Sequence, residues 1–149
     1  LSTEPVAAVL AIWDEIGPAL EAFIAEDPRK WTFSPHDVWC HEHDVRAALG
    51  LPRRDDPEAI RFSASAVWFV RSRCTKAGLP VPEYVVGDEV VLEGTGGPTV
   101  RFPDLHEVGR VVFGRRSEAQ IRALDWSADP NPYLPHLSYF EFQPSDAHG

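Results

Sequence analysis

Residues 36–44 read HDVWCHEHD and bring three histidines, two aspartates, a glutamate and a cysteine into nine positions. On a helix, His36, Cys40 and His43 fall on one face at i, i+4 and i+7. A thiolate and an imidazole one turn apart can share a tetrahedral zinc, because their ligand atoms converge. Cys74, 34 positions further on, would then be the fourth ligand. The spacing has neither a paired CxxC nor the two-residue gap of the HExxH helix. Two readings therefore stand side by side. In one, His36, Cys40, His43 and Cys74 form a zinc site, or Cys40 pairs with His36 or His43 as a thiolate–imidazolium couple. In the other there is no cofactor: both thiols are simply buried, and His41, between Val38 and Val45, is a neutral core imidazole.

Other chemistry is poorly signalled. Ser63 and Ser65 sit in a helical pattern, RFSASAV, rather than in a GxSxG elbow. The Gly-rich EGTGGPT lacks a following GK[ST] and opens no helix, so it reads as a hairpin turn rather than a phosphate cradle.

The elements that would position these residues follow from periodicity. Val6, Val9, Leu10, Trp13, Ile16, Leu20, Phe23 and Ile24 recur at threes and fours, predicting a first helix over 5–27 with its stripe in the core. Pro18 should kink it or restart it after Gly17. Ser34-Pro35-His36-Asp37 starts a second helix that Gly50 stops. Asp56-Pro57 starts a third, running to Gly78 and apolar over much of its circumference. After Pro82 the period changes: EYVVGDEVVLEGTGGPTVRF reads as two strands joined by GTGGP, EVGRVVFG as another, and HLSYFEF as the last. SEAQIRALDW, capped by Ser117, is a short fourth helix. Helices precede strands, so the expected class is α+β, with three N-terminal helices packed on a small, mostly antiparallel sheet in a single domain of 149 residues.

Charge bears on partners. The chain carries 23 acids against 14 bases, a net charge of −9, which disfavours nonspecific attraction to phosphate or anionic membrane and favours basic partners. Residues 1–28 hold six acids and no base, while residues 29–77 hold nine bases and six acids. The leading expectation is a small cytosolic binding protein that masks a basic protein partner, the profile of inhibitor and immunity-type proteins. Its contacts would be Asp14, Glu15, Glu21, Glu26 and Asp27 of the first helix and Glu89 and Glu93 of the hairpin. Trp31 and Trp39, with Trp126 and Tyr133, would be aromatic anchors. The alternative is a winged-helix-like DNA-binding regulator whose third helix offers Arg61, Arg71, Arg73 and Lys76 to phosphates, with Arg115 and Arg116 a second basic spot. Two features oppose it: that helix is too apolar to lie in a groove, and Glu83, Asp88, Glu89 and Glu93 would turn an acidic wing to a polyanion. The metal-dependent enzyme is a third expectation. Twelve arginines against two lysines suit a GC-rich bacterial gene, and two cysteines without an export signal suit a reducing cytoplasm. No run is long and apolar enough to span a bilayer.

Overall fold

The computed structural model of the chain describes residues 6–26 and 34–146. The chain falls into two compact units, residues 1–37 and 38–149. The first contributes helix α1 (Val6–Glu26), which stays helical through Pro18: a proline removes one backbone bond, and the turns on either side propagate. On α1 the expected burial is reversed at two positions, since Ile16 and Phe23 are exposed, together with Ile12.

Helix α2 (Ser34–Ala48) ends where the sequence stops it. Gly50 adopts a left-handed conformation, and its N–H and that of Leu51 satisfy the carbonyls of Ala47 and Arg46. Asp56 caps α3 (Pro57–Ala64), accepting from the N–H groups of Glu58 and Ala59 at 3.1 and 3.3 Å. The expected long third helix is broken. A 3-10 turn at Ser65–Val67 separates α3 from α4 (Trp68–Lys76). Ser65 Oγ donates to the carbonyl of Phe62 at 2.6 Å, the back-bonding by which serine bends helices.

The sheet belongs to the second unit and has the order β2-β1-β3-β4, with β1 at Glu83–Val86, β2 at Glu89–Leu92, β3 at Thr99–Phe102 and β4 at Asp125–Trp126. β1 pairs β2 antiparallel, Tyr84 opposite Leu92 and Val86 opposite Glu89. It pairs β3 in parallel, and β3 pairs β4 antiparallel. Helices and a mixed sheet make the fold α+β.

The hairpin turn lies at Gly87–Asp88 and not at GTGGP, which instead carries the chain from β2 round to the far side of β1. This connection wraps Val81. The N–H groups of Thr95 and Gly97 donate to the Val81 carbonyl at 3.0 and 3.3 Å, and Val81 N–H donates to Thr95 Oγ1 at 2.8 Å. A Cβ on Gly97 would lie 2.6 Å from that carbonyl oxygen, so only glycine permits the approach.

Of residues 107–114, expected as a strand, 107–112 belong instead to helix α5 (Leu105–Val112), and Phe113 is its C-cap. Asp104 caps it, accepting from Glu107 N–H at 2.8 Å. The β-branched run Val108, Val111, Val112 is buried at helical spacing. Helix α6 (Glu118–Arg122) follows with the capping box Ser117–Gln120. The expected last strand is absent. A 3-10 turn at Leu134–His136 leads into a segment whose Tyr139 N–H bonds the Val112 carbonyl at the end of α5.

The core of the second unit joins Val70 and Cys74 of α4, Tyr84 and Val100 of the sheet, Val108 and Val112 of α5, and Ile121 and Leu137. Among the described residues, no helix is long and apolar enough to cross a membrane.

Candidate functional site

The face of α2 that carries His36, Cys40 and His43 does turn inward, and all three side chains are buried. Cys74 is buried too, on α4, where loss of solvent pushes its thiol pKa up. The four do not form the expected zinc site. Among the described residues, no three His, Cys, Asp or Glu side chains come together to hold a metal ion. His43 is engaged elsewhere: its Nδ1 lies 2.8 Å from the Trp39 carbonyl, and its ring packs 4.4 Å from Trp39 and 4.7 Å from His106. Because a carbonyl only accepts, His43 Nδ1 carries a proton and donates to it.

His41 is not the core imidazole of the sequence reading. It is exposed, as are Val38 and Val45, because Trp39, Cys40 and His43 take the buried face of α2. Trp39 is 5% exposed, which removes it as a surface anchor.

A buried polar cluster lies where α2, α3 and α5 meet. Trp39 Nε1, His43 Nε2, Ser63 Oγ and His106 Nε2 are all buried there without hydrogen-bond partners. Burial depresses the His106 pKa to about 4, with nearby His43, Arg53 and Arg110 adding to the effect and Asp104 opposing it. Asp104 is itself held below its usual range: burial opposes ionisation, but the Arg53 hydrogen bond at 2.7 Å and the Glu107 N–H prevail.

The next turn of α5 sends Arg110 to the outer side of this cluster. The residue is 1% exposed, and its guanidinium reaches Asp44 Oδ1 of α2 at 2.8 Å. Arg115 approaches the other oxygen of the same carboxylate, Nε to Oδ2 3.1 Å, without the alignment of a hydrogen bond. Burial lowers the Arg110 pKa and the Asp44 hydrogen bond raises it; the guanidinium keeps its charge at neutral pH. Arg116 has its own partner, donating to both oxygens of Glu107 at 2.7 Å. A cleft of about 410 Å³ opens beside this group, lined by His41, Asp44, Ala47, Ala48, Arg110, Arg115 and Gln143.

His106 and Arg110 were not recognised in the sequence, because their segment reads as a strand. The signal that reveals them is Asp104 followed three residues later by Glu107, the start of a helix on which 106 and 110 stack one turn apart.

Asp14, Glu15, Glu21 and Glu26 are exposed on α1, while Asp27 and Trp31 lie outside the described residues. Glu89 and Glu93 are exposed on or beside the hairpin, close to the arginines proposed for DNA. Arg61 pairs with Glu89 at 3.0 Å, and Arg71 donates to the Glu93 carbonyl at 2.8 Å. Arg73 lies over the Phe69 ring and donates to the Ser138 carbonyl at 3.2 Å. Lys76 is exposed, Tyr133 is buried, and Trp126 is half-buried with its Nε1 donating to the Ile121 carbonyl. Comparison with protein-family models, with curated proteins and with solved structures gives no match.

Proposed function

We propose that the protein is an acidic binding module that engages a basic protein partner through α1, with no chemistry of its own. One observation carries this reading: α1 exposes apolar side chains among its acids. Ile12, Ile16 and Phe23 are each at least 43% exposed, and at 100° per residue they lie on a single stripe. Glu15 and Glu26 fall at its margin, and Asp14 and Glu21 lie further round. An apolar strip edged by carboxylates suits a partner with an apolar patch ringed by Lys and Arg: burying the strip supplies affinity, and the charges steer encounter and exclude wrong partners. The composition supports a bacterial cytoplasm as its setting, since arginine greatly exceeds lysine and both cysteines are free thiols.

The test places a photo-crosslinking residue at position 16 and identifies the protein captured. The purified partner is then titrated against the wild type and Glu15→Lys/Glu26→Lys at low and high salt. The expected partner is basic, its affinity falls with salt, and charge reversal weakens it about tenfold. An acidic partner, or an affinity indifferent to both salt and charge reversal, overturns the reading.

A further inference from the structure

We propose that the cleft between α2 and α5 binds a small anionic metabolite, whose carboxylate or phosphate group is held by Arg110 and Arg115. The argument begins with charge. Two guanidinium groups converge on a single carboxylate, Asp44, at 2.8 and 3.1 Å. The nearest remaining acid on α5, Glu107, already has both oxygens bound by Arg116 at 2.7 Å. Among the described ion pairs, three guanidinium groups thus face two carboxylates at the wall of the cleft, in a chain whose net charge is −9. A cation buried as deeply as Arg110 is costly to keep out of water, and half a carboxylate repays that cost poorly. An anion in the cleft would complete the neutralisation.

The second line is geometry. Arg110 is fixed from behind, its Nη1 reaching the Cys40 carbonyl at 3.4 Å as well as Asp44. Its Nε and that of Arg115 are buried without hydrogen-bond partners, so Asp44 saturates neither guanidinium, and both side chains line the cleft. Arg115 is the more accessible of the two, and a fork of planar donors is the geometry that grips carboxylates and phosphates in pairs. Gln143 is held in the wall by its amide donating to the Gly114 carbonyl at 3.0 Å. Ala47 and Ala48 leave room that longer side chains would fill. The volume of about 410 Å³ lies near the small end of ligand sites, which suits a compact molecule. This inference is independent of the α1 reading, because it concerns other residues, the opposite sign of charge and a different class of ligand.

The experiment titrates the intact chain with sodium phosphate and with sodium citrate, using sodium chloride at matched ionic strength as reference, followed by calorimetry and thermal unfolding. Arg115→Gln removes the accessible donor, Ala48→Leu fills the cleft with no change in charge, and Arg122→Gln on α6 removes a cation elsewhere. At least one of the two anions is expected to bind saturably above the chloride background. Arg115→Gln and Ala48→Leu should each weaken it about tenfold or more, the scale of one lost charge-assisted hydrogen bond, while Arg122→Gln binds as the wild type does. Preference for phosphate or for citrate tells which acid group the site takes. If Arg115→Gln fails to fold, Ala48→Leu decides alone. The proposal is overturned if neither anion exceeds chloride, or if the folded cleft variants bind as tightly as the wild type.

Discussion

His106 shows how burial turns an ordinary residue into a liability at low pH. Its side chain is enclosed by Trp39 and His43, with charged Arg53, Asp104 and Arg110 around it. Its pKa falls from 6.5 to about 4, so the unfolded chain takes up a proton more readily than the folded one between those values. The stability contributed by a neutral His106 is thus fully present above about pH 6.5 and is lost as the pH drops towards 4, by roughly 3 kcal/mol at the limit. His106→Phe keeps a ring against Trp39 and removes the proton. Urea midpoints measured from pH 7 to pH 4.5 should fall steeply for the wild type and less for the variant; parallel curves would show that His106 does not carry the effect. The same scale explains why His36, Cys40, His43 and Cys74 can be buried without being brought together among the described residues. A face of histidines and cysteine is what a zinc helix needs, but it is also what a buried helix face tolerates when the rings pack at a tilt against one another and one nitrogen bonds a backbone carbonyl.

Among the elements, α3 and α5 approach so closely that their contact depends on Gly109. A Cβ at that position would clash with Ser63 Oγ and lie 3.2 Å from both Ser63 Cβ and the Trp39 ring. Alanine would gain about 1 kcal/mol of helix propensity, but forcing the helices apart costs about 1–3 kcal/mol, so crowding wins. Gly109→Ala should lower stability by about 1 kcal/mol net. Ser63→Ala/Gly109→Ala should recover part of that loss, because the clashing oxygen is also a buried hydroxyl without a hydrogen-bond partner. Chemical denaturation of the two variants checks this, and equal losses in both would refute the proposed contact. The elements themselves were legible where the sequence carries stop and start chemistry. Asp56, Ser117 and Gly50 marked boundaries correctly, since capping is a local interaction between a side chain and the nearest free backbone groups. Reading failed at 107–114, where a valine run outweighed the Asp104 cap, and at GTGGP, where Gly-rich chain that wraps Val81 looked like a tight turn.

At the scale of the whole molecule, residues 38–149 form a compact unit with a buried core of its own that runs from Trp39 to Leu137. A fragment of residues 34–149 should therefore fold by itself, with one cooperative transition and a melting temperature within a few degrees of the full chain. Circular dichroism melts of the two proteins test this; a fragment without a cooperative transition would show that residues 1–33 are needed for the core. Composition and period by themselves determined the class of the fold, the capped helix starts, the acidic character of the first helix and the change to strands after Pro82. These rest on interactions within a few residues, or on charge, which needs no coordinates. Only the tertiary structure decided which face of α2 is buried, that β3 pairs with β1 in parallel, and that Asp44 and Arg110, 66 positions apart, share an ion pair. Such choices depend on which surfaces meet, and residues so far apart in the chain leave no periodic trace of each other in the sequence.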